Sequence, residues 1–146
     1  MPNYSLLSIP AMWLTAQVPH AYAVSLVKRA NNNRFDNANS KGSAFQAALK
    51  TSVPAATLAR YERAEAAHRN GMENLPFFAA AVLAAKWAGV GEGVVAATAA
   101  VYLALRVLYN GLYIHVTSQK KSFARTGVWV VSMVVALSLF VRAAVA

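Results

Sequence analysis

The 146-residue chain is 58% hydrophobic and 13% charged, with a mean hydropathy of +0.38, which is too apolar for an ordinary soluble domain. It contains no cysteine, which excludes disulfides, a thiol nucleophile and thiolate metal ligands. The net charge of +9 and pI near 10.3 do not point to nucleic acid as a partner, because the basic residues form no groove-reading patch with interleaved aromatics.

Four apolar segments, about Tyr4 to Val27, Leu58 to Ala88, Val94 to Val116 and Thr126 to Val145, are each long enough to cross roughly 30 Å of hydrocarbon. They predict an all-α membrane protein, a four-transmembrane-helix bundle forming one domain over residues 1–146. The first segment lacks a basic n-region and a small-residue cleavage site, so it reads as a retained helix. Lys28, Arg29, Arg34, Lys41, Lys50 and Arg60 surround the first connection, and Lys120, Lys121 and Arg125 the third. The positive-inside rule places both connections in the cytosol, where they also favour anionic headgroups.

Helix one carries Pro10, Gln17, Pro19 and His20 in its apolar run. Pro19 frees backbone carbonyls that neighbouring helices or water must satisfy, and predicts a kink. His20 reads as a helix-contact histidine ahead of a ligand or proton carrier. The cytosolic loop, about 28–57, is polar, with Asn31, Asn32 and Asn33 in a row; inside it Ser43 to Lys50 predicts a short interfacial helix with Phe45, Ala48 and Leu49 on one face. Pro54 then suits the first turn of helix two, with Ser52 as its cap.

Helix two holds three of the five acidic residues in the stretch Arg60 to Pro76. On a helical wheel Glu62, Arg63, Glu65, Arg69, Asn70, Glu73 and Asn74 occupy one half, and Ala64, Ala67, Gly71, Leu75 and Phe78 the other. Ionisable groups at bilayer depth cost roughly 2.5 to 3.5 kcal/mol each, so this face is expected to meet a bundle interior or wet cavity and to mark function. Glu65 with Arg69 and Arg69 with Glu73 are i,i+4 pairs, and a purely structural ionic ladder is the plainer reading of them. Pro76 is expected to interrupt the helix, and Gly89, Gly91, Glu92 and Gly93 to make the turn to helix three.

Helix three repeats polar and aromatic residues at spacings of three and four: Tyr102, Arg106, Tyr109, Asn110, Tyr113 and Thr117. Packing accounts for aromatic stripes, but not for an arginine in mid-membrane. Counted from the cytosolic ends, Glu73 and Arg106 lie at one depth, roughly 16 to 18 Å, as an ion pair or as two walls of one pocket. The third connection, Ser118 to Arg125, carries three cations; Lys120 and Lys121 suit headgroups, whereas Arg125 is placed to reach a bound anion. Helix four is valine-rich, with Ser132 and Ser138 as interhelical hydrogen-bond donors.

Two motifs in this order resemble the MAPEG family, membrane-associated proteins in eicosanoid and glutathione metabolism. In helix two, E-R-A at Glu62 to Ala64 precedes H-x-N-x-x-E-N at His68 to Asn74 and then Pro76. In helix three, R-x-x-Y-x-x-x-Y runs through Arg106, Tyr109 and Tyr113 and is followed by Arg125. The resemblance covers most of the chain and is similar to the microsomal glutathione transferase type. Asn74, where eicosanoid-type members carry a tyrosine, fits that type; Ala66 departs from the usual arginine, with Glu65 before it and Arg69 displaced past His68.

The resemblance implies a homotrimer in the lipid bilayer that binds glutathione as co-substrate between subunits near the cytosolic side, with no metal. His68, Asn70 and Glu73 would bind the peptide, Glu73 taking the α-amino group. Arg106 would take a carboxylate, Tyr109 and Tyr113 would line the pocket, and Arg29 would approach from another subunit. Arg125 would be catalytic, stabilising the thiolate for attack on lipophilic electrophiles or hydroperoxides, a transferase or peroxidase activity. The expected location is an integral, multi-pass one: endoplasmic reticulum or another intracellular membrane in a eukaryote, the inner membrane in a bacterium. Two other classes stay open at this point: a non-catalytic lipid-binding or regulatory protein of the same fold, and a small proton-coupled exporter built on Glu73.

Overall fold

The computed structural model describes residues 3–146, so the first two residues of the expected domain lie outside the described residues. Five helices follow in order: α1 (Tyr4–Ala30), α2 (Ser43–Ser52), α3 (Ala55–Trp87), α4 (Glu92–His115) and α5 (Gln119–Val145). Among the described residues there is no strand. The short α2 stands where a short helix is expected within the loop, and the other four are the expected long ones. Of these, α4 and α5 are long and apolar enough to cross a membrane. The 27-residue α1 and 33-residue α3 are as long, but carry the prolines, histidines and charges noted above.

Several boundaries differ from expectation. The third connection is mostly absent, because α5 begins at Gln119 and takes up Lys120 to Arg125 as its first turns. That stretch is polar but contains no proline or glycine, and polarity alone does not stop a helix. Ser52 ends α2 and caps nothing, while Pro54 stands just outside α3. Pro76 lies inside α3 without ending it. Ser132 and Ser138 donate back to carbonyls of their own helix, Trp129 and Val135, and make no interhelical bond.

The apolar core joins four helices around Met12, Phe78, Val82, Val95, Tyr102 and Leu139, with the Phe78 and Tyr102 rings stacked at 4.2 Å between centroids. The faces predicted from the helical wheel are the buried ones on α3, where Ala64, Ala67, Gly71 and Phe78 turn inward. By contrast α5 buries only Ser132, Ala136 and Leu139 and exposes a run of valines and Leu137, a surface that suits lipid contact. At one end of the bundle, Phe45 and Leu49 of α2 dock on Tyr61, Ala64 and Ile114. At the other end Glu92 accepts from the Ser5 amide and hydroxyl and pairs with Lys86 at 2.7 Å. There α3 stops in a Schellman turn, with Gly89 at φ +77 and the Val90 amide donating to Ala85.

The seam between α1 and α3 positions everything that follows. Small residues let the two backbones approach, and a Cβ built on Gly71 would lie 2.7 Å from Ala16 Cβ and 3.2 Å from Ala16 Cα. Gly71→Val is therefore expected to lower stability by about 1–3 kcal/mol through overpacking, read as thermal unfolding in detergent. An unchanged unfolding midpoint would mean that the helices separate freely.

Pro19 lies inside α1 without ending it, and the carbonyl it frees is met by a donor from outside the helix. It has no amide hydrogen for the Thr15 carbonyl and its ring crowds that turn, so the freed acceptors need donors from outside the helix. Asn110 Nδ2 of α4 donates to Thr15 O at 3.0 Å, and His68 Nδ1 of α3 donates to Ala16 O at 2.8 Å. Pro19 thus ties α1 to α4 through Thr15, and His68 adds a tie from α3 at the next residue.

Candidate functional site

The ionic half of α3 divides between two neighbours. Glu62, Glu65, Arg69 and Glu73 face a cavity of about 840 Å³ bounded by His20 of α1, Lys41 of the connection, Gln46 of α2 and Tyr61 and His68 of α3. Arg63 and Asn70 turn instead to α4, where Arg63 Nε donates to Ile114 O at 2.9 Å and Arg106 Nη2 donates to Asn70 Oδ1 at 2.6 Å. The cavity is within the size range of small-molecule sites. Its walls carry both signs of charge, from three glutamates facing Lys41 and Arg69.

Glu65 does not join the ladder its spacing suggests. Its Oε1 accepts from His20 Nδ1 at 2.7 Å, and the one lysine–carboxylate pair among the described residues is Lys86 with Glu92. The His20 ring lies 5.1 Å from that of His68, tilted by 37°, and His68 Nδ1 must carry the hydrogen because a backbone carbonyl only accepts; Nε2 is then the acceptor in the neutral ring. The two histidines and Glu65 form one unit in the cavity wall. Among the described residues, no group of three or more histidine, aspartate or glutamate side chains stands close enough to hold a metal ion.

On α4 the predicted stripe is buried at Tyr102, Arg106, Tyr109 and Asn110, whereas Tyr113 is half-buried and Thr117 is exposed beyond the end of the helix. Arg106 is 1% exposed, its guanidinium lies 4.5 Å from the Tyr109 ring centroid, and its Nη1 has no hydrogen-bond partner. Tyr109 meets Tyr113 edge-on at 5.5 Å, and Arg125, on the second turn of α5, lies 4.1 Å over the Tyr113 ring. Arg106, Tyr109, Tyr113 and Arg125 therefore form a continuous cation–aromatic chain from the bundle interior to the start of α5.

Of the expected site residues, His68 and Glu73 line the cavity, and Asn70, Arg106, Tyr109, Tyr113 and Arg125 are joined where α3 meets α4, with Asn70 and Glu73 about 60° apart around the α3 axis. Glu73 and Arg106 form no ion pair; the arginine turns to Asn70 and the glutamate to the cavity. Arg29 is exposed near the end of α1 and joins neither group within one protomer. The sequence places Glu65 on the ionic face and favours packing for His20, but does not pair the two. Their pairing spans 45 positions, and the one local signal for it was the shared depth of His20 and the α3 face.

No curated protein and no solved structure matches the chain. A model of the MAPEG family matches residues 4–145, nearly the whole chain, and covers both motifs and all five helices. With the apolar α4 and α5, that match makes this a membrane protein, and the chain belongs to the MAPEG family.

Proposed function

We propose that the protein is a glutathione-dependent transferase or peroxidase, a homotrimer of protomers that each cross the membrane four times. The observation that carries this reading is Arg106, a buried guanidinium with no counter-ion and an unpartnered Nη1. An isolated buried cation is costly, and a ligand carboxylate supplies the missing charge and acceptor. Because almost none of Arg106 is exposed, the carboxylate reaches it only as the surrounding side chains give way, and that rearrangement belongs to the binding step.

Glutathione brings two carboxylates, one ammonium and a thiol. Glu73 on the cavity wall takes the ammonium, and His68 and Asn70 hold the peptide. Arg69, which lines the same cavity, is placed to take over from the arginine that Ala66 replaces. Arg29 of a neighbouring subunit completes the set. Arg125 stabilises the thiolate, whose sulfur attacks the electrophilic carbon of a lipophilic substrate, or the terminal oxygen of a hydroperoxide, where the O–O bond breaks to give glutathione sulfenic acid and the alkoxide leaves as the alcohol after protonation. A second glutathione then releases the oxidised sulfur as disulfide and water.

The test is equilibrium binding of glutathione to purified, folded oligomer, with thiolate absorbance followed in the same titration. Saturable binding with thiolate at neutral pH is the expected result. No binding would move the assignment to a lipid-binding or regulatory member of the fold.

A further inference from the structure

A second cavity, of about 470 Å³, lies between α1 and α4 on the flank of the bundle. Neither Arg106, Tyr113 and Arg125 nor any residue of the larger cavity lines it. Its outer walls are apolar and open, since Leu14, Val18 and Val107 each expose more than half of their surface. Tyr22 and His115 stand at the end nearer the connections, so the groove has one polar mouth and an otherwise apolar length.

Its single distinctive group is Asn110, and Pro19 determines how that group is held. Donation to the Thr15 carbonyl occupies Nδ2, so Oδ1 is left as an acceptor. The residue is 8% exposed and Oδ1 has no partner. A buried acceptor of this kind, in apolar surroundings, is normally satisfied by a donor. Beside it a Cβ on Gly111 would meet nothing within 4 Å, so packing within the protomer does not require the glycine and the groove is open at this point.

We propose that the groove binds a neutral membrane amphiphile, such as a long-chain alcohol or a monoacylglycerol, whose hydroxyl donates to Asn110 Oδ1. Complementarity selects this class: the acceptor asks for a donor, and the lining residues include no lysine or arginine to hold an anionic head. Depth agrees, because Asn110 lies roughly 7 Å along α4 from His115, just below a headgroup layer, with Leu14 and Val107 further in for the alkyl chain. Oδ1 itself has almost no exposed surface, so the hydroxyl reaches it as the flexible wall side chains part.

The experiment places the protein in phosphatidylcholine nanodiscs and photolabels it with a diazirine-bearing long-chain alcohol, mapping labelled residues by mass spectrometry. Saturable labelling of the α1 and α4 groove residues is expected. Dodecanol should compete about tenfold better than dodecyl methyl ether, which lacks the donor. Gly111→Phe, whose Cβ meets nothing within 4 Å, should fill the groove and reduce labelling about tenfold with oligomeric mass and glutathione binding unchanged. Equal competition by alcohol and ether, or labelling spread evenly over the exposed α5 face, would overturn the proposal. A changed oligomeric mass in Gly111→Phe would overturn it in favour of an interface between copies of the chain.

Discussion

Arg106→Met is expected to abolish measurable glutathione binding while leaving the unliganded protein at least as stable as the parent. The two effects have one cause. In the absence of ligand the guanidinium donates to Asn70 Oδ1 and keeps Nη1 unpartnered at 1% exposure, so its burial is incompletely compensated. Replacing a buried charge by an apolar side chain of similar volume is often neutral or stabilising, and the half-buried Asn70 can recover its lost partner from water. With ligand bound, two charge-assisted bonds to a carboxylate, at about 1.5–3 kcal/mol each, are lost, which raises Kd by about 10²- to 10⁴-fold. Alanine would confound the test by adding a cavity, whereas methionine does not. Thermal unfolding and glutathione titration on the same preparations read both arms. Marked destabilisation would make Arg106 a structural residue, and retained affinity would remove it from the binding site.

The row that gives Arg106 its setting was legible because helical periodicity reports angle around one axis. Tyr102, Arg106, Tyr109 and Asn110 recur at three and four, and those residues are the buried face of α4. Pro19 was legible for a different reason: a proline removes a known donor, and the structure supplies Asn110 and His68 at the freed turn. Periodicity does not say which neighbour each part of a face will meet. The polar half of α3 looked like one surface, yet Arg63 and Asn70 turn to α4 while Glu65 and Glu73 turn to the cavity. Nor does the local pattern find partners far along the chain. Glu65 has Arg69 one turn away, which spacing favours, but the packed α1 brings His20 within 2.7 Å and the contact between helices wins over the ladder. The start of α5 was missed because Lys120, Lys121 and Arg125 read as loop by charge, although nothing in their backbone chemistry opposes a helix.

Placing Arg125 on a helical turn instead of a loop sharpens the second prediction. A loop arginine would adapt to any ligand, whereas this one is held 4.1 Å over the Tyr113 ring at the outer end of the cation–aromatic row. Arg125→Ala should therefore leave glutathione affinity nearly intact and remove the thiolate signal at neutral pH. An opposite charge within a few ångströms lowers a thiol pKa by about 1–3 units, so at a pH where the parent is half ionised its loss cuts the thiolate population by about 5- to 500-fold. The sign is fixed: the bound thiol pKa rises, and turnover moves to higher pH without losing its ceiling. Part of the deficit is offset, because a more basic thiolate is intrinsically more nucleophilic, with a Brønsted slope of about 0.4–0.5. The profile of turnover against pH at saturating glutathione separates this role from a merely structural one. Recovery at alkaline pH identifies Arg125 as the group that stabilises the thiolate; a uniform loss at every pH assigns it to packing against Tyr113. Arg125→Lys divides charge from stacking, since the ammonium keeps the electrostatic effect but not the planar contact with the ring. A lysine variant with an unshifted profile would show that charge alone suffices, and a shifted one that Tyr113 must hold the guanidinium in place.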